Sequence, residues 1–202
     1  MKNINFKESV QNRRSYYNLS SESPISDKDI QDIIEHITRY APSAFNSQSA
    51  RIVLLLRENH QKLWEITKDA LKKISKSEED YKKTEDKINT SFLSGYGTIL
   101  FFEDEEVVSN LQNKFPLYKE KFTQWSEHSS AIHQVLIWIA LKNEGLGASL
   151  QHYNPIIDEP VKKQWNLNAN WKLIAQMPFG KPLQEPKEKE HEPISERFLV
   201  FK

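Results

Sequence analysis

Residues 40–56 read YAPSAFNSQSARIVLLL and join two unlike elements through a run of small and amide-bearing residues. Upstream, Ile30, Ile33, Ile34 and Ile37 recur at helical spacing behind Ser26. Ser26 is placed as an N-cap, with Asp29 as an imperfect capping-box partner. Pro42 stops this helix, because the residue before a proline is pushed out of the α region. Downstream, Ile52 to Leu56 is a continuous β-branched and leucine run between Arg51 and Arg57. It is too short for a helix and predicts a largely buried strand.

Working outward, Lys7 to Asn18 is polar and predicts a short helix fraying into a turn at Ser20 to Pro24. Asn59 to Ile74 regains helical period through Leu63, Ile66, Ala70 and Leu71, and Ser75 to Lys87 is a charge-rich solvated helix or loop. Gly95 and Gly97 bracket a turn before TILFFED, a second strand. Glu105 to Lys114 predicts a short helix, and FPLYKEKFTQWSEHS an aromatic-rich irregular stretch. Ser130 to Asn143 is apolar on nearly every side, the mark of a helix buried on several faces. Gly145 is placed to end it in the left-handed conformation, and Gly147 opens the strand-like ASLQHY. Asn154-Pro155 reads as the N-cap and first residue of a helix to Trp165. KLIAQMPFG is the third strand. A polar tail then runs to FLVF, which needs an edge to pair with, in its own sheet or a partner's.

Length and composition limit the possible functions. A chain of 202 residues, 38% hydrophobic and 28% charged, has the size of one compact domain. Lys plus Arg and Asp plus Glu both count 28, so no global charge draws the chain to nucleic acid or an anionic membrane. Without cysteine there is no disulfide framework, thiolate metal site or cysteine nucleophile. The N-terminus lacks a signal-peptide h-region and no stretch approaches the ~20 apolar residues of a membrane span, so the reading is a soluble cytoplasmic protein.

Local metal and nucleophile motifs are absent from the sequence. Histidines 36, 60, 128, 133, 152 and 191 show no ligand spacing, and there is no nucleophile elbow, Walker loop or dinucleotide-binding glycine fingerprint. Arg13, Arg14 and Ser15 are the stronger signal. Where a helix ends, both guanidiniums and the hydroxyl can converge on a phosphate. Taken alone, the pair reads sooner as ordinary exposed basic residues. In residues 40–56, small residues let a ligand approach the backbone, and Asn46 and Gln48 offer donors and acceptors to a planar polar edge. Alone, this segment too reads as a plain connection.

In order and spacing, Arg13-Arg14-Ser15, APSAFNSQSARIVLL and EGLGASLQHYNP together resemble the FMN-dependent nitroreductase family. LQHYNP and the closing EKEHEPISERFLVF resemble more narrowly the branch of yeast fatty-acid-repression proteins and small bacterial nitroreductases. The resemblance covers essentially all of residues 1–202 as a single flavin-binding domain. It implies an α+β fold, a three-layer sandwich around a small mixed sheet, in an intertwined homodimer whose C-terminal segments are exchanged. That exchange would supply an edge for FLVF.

The same resemblance implies FMN at the dimer interface. Arg13, Arg14 and Ser15 map to the region binding its phosphate and polar atoms. Asn46 and Gln48, with Ser43, map to the loop reaching the partner's flavin. Gln151 and His152, with Tyr153 and Asn154, fall where a strand edge passes the ring, and Lys189 and Arg197 add positive charge at the phosphate. More distant nitroreductases carry a Glu-Gly-type segment near flavin N5, where this chain has QHYNP. The implied activity is ping-pong reduction of nitroaromatics or quinones by NADPH or NADH, with no essential side-chain acid or base and no metal. Phe115, Tyr118, Phe122 and Trp125 read as a pocket lid or as simple packing. A slow-turnover flavin-binding regulator and a flavin-free interaction protein are the other readings.

Overall fold

The structure, a computed structural model, describes residues 5–202. In chain order its elements are α1 (Phe6–Asn12), β1 (Leu19–Ser20), α2 (Asp27–Tyr40), β2 (Ala50–Leu56), α3 (Glu58–Ile74) and α4 (Glu78–Ile88). There follow β3 (Gly97–Asp104), α5 (Glu105–Lys114), α6 (Lys119–Asn143), β4 (Gly147–Ala148), α7 (Asp158–Gln164) and β5 (Trp171–Pro182). The sheet order is β1-β5-β3-β2, with β4 also on β5. Every ladder is antiparallel. The parallel component expected of a mixed sheet is the single bridge between Ser15 and Ala148.

Side-chain alternation along β3 makes the three layers. Ile99 and Phe101 face α2 and α6, packing with Ile30, Ile34, Ile137 and Leu141. Leu100 and Phe102 face the opposite way, against Leu63 and Trp64 of α3, Ile88 of α4 and Val161 of α7. A register shift between Phe101 and Phe102 pairs them with Ala175 and Leu173, leaving Ile174 as the extra residue on β5. The bulge explains why Leu173 and Ala175, two apart, reach opposite cores.

The helix ahead of residues 40–56 forms as its pattern predicts, with a fuller cap. Ser26 Oγ accepts from the Asp29 backbone N–H and Asp29 Oδ2 from that of Ser26, a complete capping box. Gly145, at φ 90°, follows α6 in the left-handed conformation a glycine tolerates. The charge-rich stretch folds as α4, capped by Ser77 and burying Tyr81 and Ile88.

Four local expectations are corrected. The first helix stops at Asn12, because Arg13 turns into extended backbone (φ −68°, ψ 111°), laying its guanidinium 4.4 Å from the Trp138 ring centre. Residues 116–129 are a short turn and then the first turns of α6, not irregular chain, because Phe122 and Trp125 pack on Phe45, far away in sequence. Asn154 does not cap a helix. Its bond to Pro155 is cis, and α7 begins only at Asp158. Finally, of the two edges expected for FLVF, its own sheet does not supply one: Phe198–Phe201 joins no strand among the described residues, and all four side chains are exposed, Phe201 to 91%.

Candidate functional site: a basic cleft and an aromatic pocket

The end of α1 and the segment after β5 enclose a cleft of about 820 Å³. One wall is Arg13, Arg14, Ser15 and Tyr16, and the other is residues 184–190. The N-terminal wall is held by the sheet. Ser15 bridges Ala148, and the Tyr16 backbone N–H donates to the Ala148 carbonyl at 2.9 Å. Buried Tyr16 accepts from Lys142 Nζ at 2.6 Å and donates to Glu185 Oε2 at 2.8 Å, tying α6 to the tail. Burial, and then the hydrogen bond to Glu185, push the Tyr16 phenol well above its ordinary range, so it remains a donor. Arg14 Nη2 donates to the Lys187 carbonyl at 2.6 Å. Burial and then the neighbouring Arg14 charge lower the Arg13 pKa.

Four cationic side chains, Arg13, Arg14, Lys187 and Lys189, line the cleft against three acidic ones, Glu185, Glu188 and Glu190. The structure therefore brings Arg13, Arg14, Ser15 and Lys189 together. Arg197 is not part of this cleft; it is exposed, at the end of the 194–196 turn.

Gln151 and His152 lie on the segment leaving the Ser15–Ala148 bridge. Gln151 exchanges backbone hydrogen bonds with Gln176 at 2.7 and 2.9 Å, and its Nε2 donates to Ser149 Oγ at 3.1 Å. His152 is exposed. Tyr153 turns into the core, edge-on to Trp64 and Phe92, and burial raises its pKa. Fully buried Gln176 holds this corner. It accepts from the Tyr153 backbone N–H at 2.8 Å and donates to Asn154 Oδ1 at 3.4 Å. Sequence reading passed over Gln176, although a lone amide in the apolar run KLIAQMPFG is a visible anomaly.

Asn46 and Gln48 sit in a different place. Phe45, Asn46 and Gln48 all have left-handed backbone, at φ 56°, 51° and 50°, so three non-glycine residues carry strain in one short loop. Hydrogen bonds within the loop hold this shape. The Gln48 N–H donates to Ser43 Oγ at 3.0 Å and the Asn46 N–H to the Ser43 carbonyl at 3.0 Å. Phe45 enters the aromatic group of Phe115, Phe122 and Trp125, stacking on Trp125 at 5.9 Å and 22°. Ser43, Phe45, Trp125, His128 and Ile132 help line a separate cavity of about 380 Å³, which shares no residue with the basic cleft. Phe45 is the partner that sequence reading missed for the aromatic run.

Among the described residues no cluster of three or more His, Cys, Asp or Glu could hold a metal ion, and no helix is long and apolar enough to cross a membrane.

The three-layer α+β sandwich is the fold of a nitroreductase-type oxidoreductase. The chain belongs to the nitroreductase family, whose profile matches residues 10–181. It is 35% identical to HBN1 of Saccharomyces cerevisiae over 179 residues, 88% of each chain. It is 32% identical to the nitroreductase FRM2 of the same yeast over 187 residues, 92% of each. The nitroreductase CinD from Lactococcus lactis, solved in complex with chloramphenicol, superposes with a TM-score of 0.89 at 41% identity, covering 98% of this chain and 100% of that one.

Proposed function

We propose that the chain is a single flavin-binding domain that works as a homodimer and reduces nitroaromatics or quinones with NADPH or NADH, using FMN in a ping-pong cycle. The observation carrying this reading is the convergence of Arg13, Arg14, Ser15 and Lys189 on one cleft. Two guanidiniums, a hydroxyl and an ammonium fit a phosphomonoester. Bound FMN would supply the hydride and electron transfer. The protein's part is to hold and orient. Arg13 and Arg14 would take the phosphate, with Lys189 closing over it and Ser15 donating from the bridge to Ala148. Gln151 and His152, farther along the same segment, would lie beside the ring, with Arg197 adding positive charge.

Asn46, Gln48 and Ser43 line no part of that cleft, which supports their serving the site of a second chain. The exposed Ile194, Phe198, Leu199, Val200 and Phe201 support the same assembly, since such a patch is a surface for burial against a partner. The aromatic pocket of Phe45 and Trp125 suits a flat aromatic acceptor. CinD, the relative bound to chloramphenicol, supports a nitroaromatic as one such acceptor.

An absorbance spectrum of the purified protein tests the reading, followed by anaerobic NADPH and then a nitroaromatic. Flavin bands that bleach with the donor and return with the acceptor are expected. A colourless protein that takes up no added FMN would refute it, and bleached bands that return only over hours would point to a flavin-binding regulator.

A further inference from the structure

Beyond β5 the tail is held by side chains where backbone pairing stops. Leu19 lies opposite Pro182 in the ladder of β1 on β5, and the Leu183 N–H still donates to the Asn18 carbonyl at 2.9 Å. The same antiparallel register then continues with Tyr16 opposite Glu185 and Arg14 opposite Lys187, each pair joined through a side chain, at 2.8 and 2.6 Å. Asn18 Nδ2 adds a bond to Gln184 Oε1 at 3.1 Å. Among the described residues no backbone hydrogen bond ties residues 184–190 to the sheet. This wall of the cleft therefore stands where Asn18, Tyr16 and Arg14 put it.

The three contacts differ in footing. Asn18 and Gln184 are exposed, so water competes for their bond, and Arg14 is itself a proposed phosphate ligand. Tyr16 is fixed from several sides. It is 2% exposed, and its backbone N–H is bonded to Ala148. Lys142 Nζ donates to its hydroxyl at 2.6 Å and stands 4.5 Å from its ring centre. Lys142 lies in the last turn of α6, one turn after Trp138, which carries the Arg13 guanidinium. One face of α6 thus supports both ends of the N-terminal wall.

The Tyr16 oxygen accepts from an ammonium and donates to a carboxylate, so each bond polarises the hydroxyl in the direction that strengthens the other. Glu185 is one of three carboxylates in the cleft, and turned towards a phosphate it would repel it. On Tyr16 it is directed at a donor, with the Lys142 charge behind.

We infer that Lys142 is a positioning residue for the cleft: acting through the Tyr16 hydroxyl, it fixes Glu185 and with it the wall that carries Lys187 and Lys189. The placing of the wall stands on this geometry alone. Its consequence for the cofactor rests on the flavin reading, in which Lys189 closes over the phosphate.

Tryptic cleavage after Lys187 in the full chain without added flavin tests the inference, because Arg14 holds the carbonyl of that peptide bond and the protease needs the segment free. Cleavage after exposed Lys76, between α3 and α4, serves as reference in the same digest. The rate should rise about tenfold in Tyr16→Phe, the loss of one hydrogen bond to a charged group, and several-fold in Lys142→Met. Lys142→Arg, which keeps a donating cation, should be cut at the wild-type rate. The double variant of Tyr16→Phe and Lys142→Met should be cut no faster than Tyr16→Phe, since both changes act through one hydroxyl. An unchanged rate in Tyr16→Phe, or in a folded Lys142→Met, overturns the inference, and so do single effects that multiply in the double variant. FMN affinity, titrated on the same series, should fall in step with the rise in cutting. A chain that shows the cutting pattern but takes up no FMN keeps this inference and loses the flavin reading.

Discussion

Arg14 is the residue on which the proposed phosphate role can be tested most directly. Its guanidinium is exposed enough for truncation to spare the fold, and it already bonds the tail through the Lys187 carbonyl. Hydrogen bonds to charged groups contribute about 1.5–3 kcal/mol, so Arg14→Ala should weaken FMN binding about tenfold or more in a fluorescence titration. Unchanged binding would remove Arg14 from the site. His60 makes the contrasting prediction, about stability alone. It is buried against Thr98 Oγ1 at 2.8 Å and the Leu93 carbonyl at 3.1 Å, while Trp64 Nε1 donates to the same Thr98 oxygen at 3.1 Å. Thr98 therefore donates to Nδ1 and His60 donates from Nε2, which fixes a neutral tautomer. Burial lowers its pKa to about 4, the Leu93 bond opposing. With the folded pKa depressed, His60 contributes its stability fully above pH 6.5 and loses it as pH falls through 4. The difference corresponds to about 3 kcal/mol. In thermal melts the stability difference between the wild type and His60→Asn should shrink as pH falls over that range. Glu103 of β3, whose carboxyl burial pushes up to about 7, has the opposite slope, so the two contributions partly cancel between about pH 4.5 and 6.5.

At the scale of elements, β4 is only two residues long and still decides where the N-terminal wall of the cleft stands. A Cβ on Gly147 would lie 2.8 Å from the Tyr16 Cβ and 3.0 Å from Pro182, so glycine lets the Arg13–Tyr16 segment close on the sheet. Gly147→Ala should destabilise the fold by about 1–3 kcal/mol through overpacking. It should also weaken FMN binding, because Tyr16 cannot shift without moving Ser15 from Ala148. Both are read from a melt and a titration of the same variant. Other elements show what local pattern reveals. Ile30, Ile33 and Ile34 announce α2, and the run Ile99–Phe102 announces β3, because periodicity and burial coincide there. The first turns of α6 escaped the same reading. Phe122 and Trp125 look irregular until Phe45 is known to be their neighbour.

For the whole molecule, the apolar tail poses the question of assembly. Residues 198–201 are exposed and form no strand among the described residues, and they follow a segment that already lines the cleft through residues 184–190. If the tail is exchanged, light scattering should give twice the 23.7 kDa of one chain. Truncation after Pro193 should shift the mass towards the monomer and weaken FMN binding together. A truncated chain that remains a dimer would assign the assembly to another face. Arg197 belongs to this question too, since it lines no part of the cleft of its own chain.

The sequence by itself determined the elements whose side-chain period matches their burial, the lack of any thiol chemistry, and a set of candidate residues through family resemblance. The convergence of Arg13–Ser15 with Lys189, the left-handed loop at Phe45–Gln48, the role of Gln176 and the contact of Lys142 with Tyr16 were decided by the tertiary structure. The reason is physical: periodicity records which way a residue faces, whereas a site depends on which distant residue it meets. Arg14 meets Lys187, and Ser49 meets Glu103, only because the sheet brings those segments together.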